Sequence, residues 1–176
     1  MKQKTETMLC ITFMKLLRKC PFSKITIQKL TGQCGVNRQT FYYHFDNIYD
    51  LMARSFEYEL VCEKKIYEEV TWRKTMTCLL GWIKENRQVM KNIMTNAEIF
   101  YFKRAMYPLI ERSISLDRFP DISSSVSGEG REKFAAHFLT IGMTQYILEW
   151  IESDFRQPVD EIVSDLFWLV QKIYHK

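Results

Sequence analysis

Twenty residues constrain this chain more than any other stretch: Thr26 to Phe45, TIQKLTGQCGVNRQTFYYHF. Thr26 is a good helix cap, and Ile27, Leu30 and Cys34 then recur on one helical face. Gly35 suits the residue that closes a helix with positive φ, and Asn37 can cap the next one. In that second helix Phe41 and Phe45 sit four apart and face inward. Arg38, Gln39, Thr40, Tyr42, Tyr43 and His44 are left around the rest of two turns. An ordinary αα-hairpin needs only a wettable outer face. This set can also donate to phosphate oxygens and reach base edges, the chemistry of a helix laid in a major groove.

Charge supports that reading once it is divided along the chain. The formal net charge of the 176 residues is +4. The first 50 residues carry eight Lys or Arg against three acids, and the rest carry 17 against 18. The excess positive charge therefore lies on the segment with the helix pair, as expected if that part alone meets a polyanion. Five cysteines (Cys10, Cys20, Cys34, Cys62, Cys78) are scattered without a Cys-x-x-Cys spacing, which fits reduced core thiols in a cytoplasmic protein. His44, His137 and His175 share no ligand spacing, and no nucleophile motif or Gly-rich phosphate loop occurs. The expectation is a non-enzyme with no metal and no cofactor. No apolar run approaches the roughly 18 residues of a membrane span.

The pattern predicts an all-α fold. A helix over 5–19 carries Leu9, Phe13, Leu16 and Leu17 on one stripe and ends at Pro21. After Phe45, Asp46-Asn47 can cap a long helix over about 48–70, about 35 Å if unbroken. Helices follow over 72–86, 88–95 and 97–116, then a polar, breaker-rich loop over 117–130. Two last helices, 131–155 and 159–174, are apolar around most of their circumference. A helix on a monomer surface needs one stripe, so these are expected to pack on their own body and on a second copy. The expected interface residues are Phe138, Gly142, Tyr146, Trp150, Val163, Leu166, Phe167 and Val170. The domain expectation is a DNA-binding helix-turn-helix domain over 1–47 and a helical effector and dimerisation domain over 48–176, with 48–70 connecting them.

The head resembles that of the TetR family of bacterial transcription regulators over about residues 5–65. The matching residues are Thr26, the turn Cys34-Gly35-Val36, and Thr40-Phe41-Tyr42-Tyr43-His44-Phe45. Two positions depart from the family pattern: Thr31 replaces a usual alanine, and Ile48 stands where a phosphate-contacting lysine is frequent. Gly142, Trp150-Ile151-Glu152, Pro158 and the stretch FYYHFxxIYDL are similar to a subset described as regulators of dihydroxyacetone kinase. The resemblance implies a homodimer paired through its last two helices, repression at a palindromic double-stranded DNA operator, and control by a small-molecule or protein effector. Base reading falls to Arg38, Gln39, Thr40 and Tyr43. Backbone anchoring falls to Thr26, Gln28, Tyr42 and His44, with Asn37 at the helix start and Lys24 and Lys29 nearby. The family's effector pocket would fall among Trp82, Met90, Met94, Phe100, Tyr101 and Tyr107. The competing reading is a helical protein-interaction module with little DNA binding of its own, since Ile48 cannot supply a charged anchor.

Overall fold

The computed structural model describes residues 2–63, 71–94, 98–114 and 129–174 of the chain. All regular elements among them are helical, in the order α1 (Lys2–Leu17), a short 3-10 turn (Phe22–Lys24), α2 (Ile27–Cys34), α3 (Arg38–His44), α4 (Ile48–Glu57), a π-helical segment (Tyr58–Glu63), α5 (Trp72–Glu85), α6 (Arg87–Ile93), α7 (Glu98–Ile114), α8 (Glu129–Glu152) and α9 (Val159–Tyr174). Among the described residues, no helix is long and apolar enough to cross a membrane.

The chain forms two compact units. One comprises Met1–Glu63 with Asn86–Ala105, the other Lys64–Glu85 with Met106–Lys176. Packing therefore does not divide at residue 47. Helix α4 lies along α1, and Leu51, Met52 and Phe56 share a buried core with Leu9, Phe13, Met14 and Leu17. The long helix expected from 48 is α-helical only to Glu57 and then widens into the π segment, and residues 64–70 lie outside the described residues. A π segment is an inserted residue that re-aims the side chains after it, and hydropathy spacing does not show it.

In the first unit, α1 is the hub. Phe22 meets Phe13 edge-on with ring centroids 6.1 Å apart, and Leu30, Phe41 and Phe45 complete a small core with exposures of 0 to 1%. At the end of α1 the contacts turn polar. Arg18 Nη2 donates to Glu59 Oε1 (2.7 Å) and to Asn86 Oδ1 (3.1 Å), and Asn92 Nδ2 donates to the Leu17 carbonyl (2.7 Å). Burial makes a thiol harder to ionise: Cys10, in this core, is pushed up to about 11. Cys20, Cys34 and Cys78 are half-buried rather than core thiols.

In the second unit, α5 packs on α9, with Trp72 beside Phe167 and the Arg73 guanidinium 4.4 Å over the Phe167 ring. Residues 129 and 130, expected in the loop, instead begin α8, and 117–128 lie outside the described residues. The turn from α8 to α9 holds Asp154 and Phe155 at φ 58° and 62°, with Phe155 packed edge-on against Trp150.

Gly35 closes α2 at φ 65°, and a Cβ there would meet nothing within 4 Å. Its substitution therefore isolates backbone strain. Gly35→Ala is expected to cost about 1 kcal/mol in denaturant unfolding. Gly32→Ala, exposed within α2 and equally unobstructed, is expected to stabilise by about 0.5–1 kcal/mol. Equal signs for the two would show that φ at residue 35 is not what sets the cost.

Candidate nucleic-acid interface

Helix α3 is only seven residues long, so its order has to come from outside itself. Three local devices supply it. The Gly35 turn reverses the chain, with the Val36 N–H reaching back to the Thr31 carbonyl at 3.0 Å. Asn37 Oδ1 accepts from the Thr40 N–H (2.7 Å) and from the Thr40 hydroxyl (3.0 Å), capping the first turn. Phe41 and Phe45 are 0% and 1% exposed, which pins the inner face. Thr26 caps α2 by accepting from the Lys29 N–H at 3.1 Å. Thr31 is buried and satisfies its hydroxyl on the Ile27 carbonyl at 2.8 Å.

The outward face follows from these anchors. Arg38 and Gln39 are exposed, and Tyr42 and Tyr43 are 51% and 67% exposed although large and aromatic. Arg38 Nη2 donates to the Tyr42 hydroxyl at 3.4 Å, so the two side chains extend together one turn apart. Thr26, Gln28, Asn37, Lys24 and Lys29 are exposed as well, while Thr40 and His44 are half-buried. His44 departs from a simple anchor: its Nδ1 is sealed from solvent with no hydrogen-bond partner, so Nε2 is the ring nitrogen left for any phosphate. Ile48 opens α4 directly after the Asn47 cap, whose Oδ1 accepts from the N–H groups of Tyr49 and Asp50 at 2.9 and 3.0 Å.

The expected effector residues fall in both compact units. Met90, Met94, Phe100 and Tyr101 belong to the first unit, Trp82 and Tyr107 to the second. Trp82 and Met90 are core side chains at 2% and 0% exposure, and Phe100 is 63% exposed. Tyr101 lines a cleft of about 230 Å³ with a polar surround, bounded by Asp46, Asp50 and Arg104 as well as Tyr49.

The expected dimer residues divide in the same way. Trp150, Val163, Leu166 and Val170 are buried within the chain, at 0 to 6% exposure, and Phe167 packs on Trp72. Helices apolar on both sides do not announce which side turns inward. The apolar groups left outside are Phe134, Phe138, Ile141, Trp168 and Leu169, at 40 to 70% exposure. Phe138, Gly142, Tyr146, Trp168 and Leu169 line a groove of about 510 Å³ between α8 and α9. Of the five exposed groups, Phe134, Ile141, Trp168 and Leu169 are additional to the expected interface residues.

Comparison with known proteins bears on the whole chain. Residues 70–172, more than half of it, match the TetR-type family described as "Transcriptional regulator C-terminal region". No curated protein matches. A solved structure named "Dihydroxyacetone kinase operon activator DhaS" is similar with a TM-score of 0.65 at 19% identity, over 97% of this chain and 96% of that one. NalD, named as the secondary repressor of the MexAB-OprM multidrug efflux pump in Pseudomonas aeruginosa, is similar over 97% and 95% at 15% identity with a TM-score of 0.47. With the helix pair and the all-helical body already in view, the chain belongs to the TetR family of transcription regulators.

Proposed function

We propose that the chain is a homodimeric repressor that binds a near-palindromic operator, with residues 1–47 reading DNA and 48–176 pairing the subunits and answering an effector. The observation that carries this reading is the outward face of α3. Two exposed tyrosines flank an arginine and a glutamine on a helix whose inner face is fully anchored. Exposing rings of that size is unfavourable in water, and they fit a groove where thymine methyls and sugars can cover them. Lys24 and Lys29 are exposed and would supply charge that Ile48 does not.

A twofold pair makes the reading specific, because two α3 helices must meet successive major grooves about 34 Å apart. The exposed strip of Phe134, Phe138, Ile141, Trp168 and Leu169 supports pairing through α8 and α9. Repression follows most simply if the bound dimer covers a promoter. An effector that binds the body better when the two heads are spread would release it. A second reading, activation from a neighbouring site, is favoured by the activator role in the name of the DhaS structure. A reporter downstream of the bound site separates the two: loss of the regulator raises expression under repression and lowers it under activation.

Selection of bound sites from random duplexes is expected to return an inverted repeat. Binding should fall with salt at a logarithmic slope of about −4, from two lysines per head and two heads. Absence of duplex binding at low salt would favour the protein-interaction module instead. Arg38→Ala or Gln39→Ala should relax preference at one base pair per half-site at a cost of about 1–3 kcal/mol, whereas Lys29→Ala should weaken all sequences alike.

Pairing has its own test. Twofold symmetry places each substitution twice in the interface. With about 1.5–3 kcal/mol for each large side chain buried, Trp168→Glu or Phe138→Glu should weaken dimerisation at least a hundredfold. Sedimentation at micromolar concentration should then show monomers. A Trp168→Glu protein that stays dimeric would place the interface elsewhere.

A further inference from the structure

The corner between α3 and α4 carries a contact that the helix pair does not need for its own fold. Tyr49 follows the Asn47 cap by two residues, and its ring lies flat on Tyr101 of α7, with centroids 3.4 Å apart and planes 10° from parallel. Tyr49 also stacks on Phe22 at 5.3 Å and 18°, and Phe22 is buried against Phe13 on α1. A run of rings therefore leads from α7, through the residue just past the reading helix, into the floor of the head. The cleft of about 230 Å³ beside it leaves both tyrosines half-exposed, so this contact lies at the edge of the apolar core.

Building on the DNA-reading proposal, we propose that Tyr101 is a positioning residue for base recognition. Held flat against Tyr49, it fixes the angle of the corner where α3 ends, although it touches no DNA itself. Phe41 and Phe45 set how deeply α3 is seated, and the Asn37 cap sets where it starts. Phe45 anchors the far end from below, and the Tyr49–Tyr101 stack adds a lateral restraint on its tilt at the corner. That tilt matters because α3 is about 10 Å long, so a rotation of about 10° moves its tip by about 2 Å, enough to break hydrogen bonds to base edges. Phosphate contacts from flexible lysines tolerate such a shift. The stack should therefore affect discrimination between sequences more than attraction to DNA in general.

The test uses the full-length protein and the operator recovered from random duplexes, with an unrelated duplex as reference. Tyr101→Ala is expected to weaken operator binding about fivefold and leave the unrelated duplex unchanged. Tyr101→Phe, which keeps the ring, should stay within about twofold of the natural protein. Tyr49→Ala should match Tyr101→Ala, and the double variant should be no worse than either. Without DNA, Tyr101→Ala but not Tyr101→Phe should shift the backbone amide signals of Arg38 to His44. A merely structural role predicts a lower unfolding midpoint with an unchanged operator-to-reference ratio, and that result, or losses that multiply in the double variant, overturns the proposal. If Tyr101→Ala discriminates as well as the natural protein, only this inference falls. If the natural protein binds no duplex, the DNA-reading proposal falls and takes this one with it.

Discussion

Everything the head can do depends on seating a seven-residue helix that could not persist alone in water. Phe41 and Phe45 do this by filling the space beneath it, with no measurable exposure for the first and 1% for the second. Once they are fixed, helical geometry leaves Arg38, Gln39, Tyr42 and Tyr43 no inward direction. The exposure of two tyrosines is thus a consequence of burying two phenylalanines on the opposite face, and the outer face of α3 is defined by the core below it.

The first unit attaches its parts in two physically different ways. Leu9, Phe13, Met14 and Leu17 meet Leu51, Met52 and Phe56 through apolar burial that solvent cannot replace. Where α6 meets the end of α1, Arg18, Glu59, Asn86 and Asn92 meet through hydrogen bonds of 2.7 to 3.1 Å. Water can supply much of what the exposed Arg18–Asn86 bond provides, whereas the Asn92 bond to the Leu17 carbonyl is buried and its loss would leave a polar group unpaired. Arg18 is itself nearly half-exposed, its side chain at 42%, which weakens the ion pair further by screening. The contact with α6 therefore has an exposed end at Arg18 and Asn86 that solvent can loosen and a buried end at Asn92 that it cannot.

Sequence legibility followed the range of the interactions. The caps at Thr26, Asn37 and Asn47, the left-handed Gly35, and the inward pair Phe41 and Phe45 depend on neighbours three or four residues away, and all occur as the spacing predicts. The bounds of α5, α6, α7 and α9 fall within two residues of expectation for the same reason. What the sequence could not show depends on distant partners. Nothing local signals that Tyr49 lies on Tyr101, that Arg18 meets Glu59, or that α4 widens at Tyr58. The two faces of α8 and α9 are both apolar, so a helical period alone could not decide that Val163, Leu166 and Val170 face the chain's own core.

The α8–α9 hairpin shows how the outer apolar strip is kept in place without being buried. Gln157 joins both helices: its carbonyl accepts from Trp150 Nε1 at 2.9 Å, its Oε1 accepts from the Tyr146 hydroxyl at 2.8 Å, and its Nε2 donates to Asp165 Oδ2 at 3.0 Å. The left-handed pair Asp154 and Phe155 costs backbone energy that would not persist unless something held it, and Phe155 packed on Trp150 supplies that hold. Trp150 is buried, and it fixes the turn that sets the spacing of Phe138 and Trp168 across the groove. A side chain hidden in the core thus frames the apolar groups that are exposed.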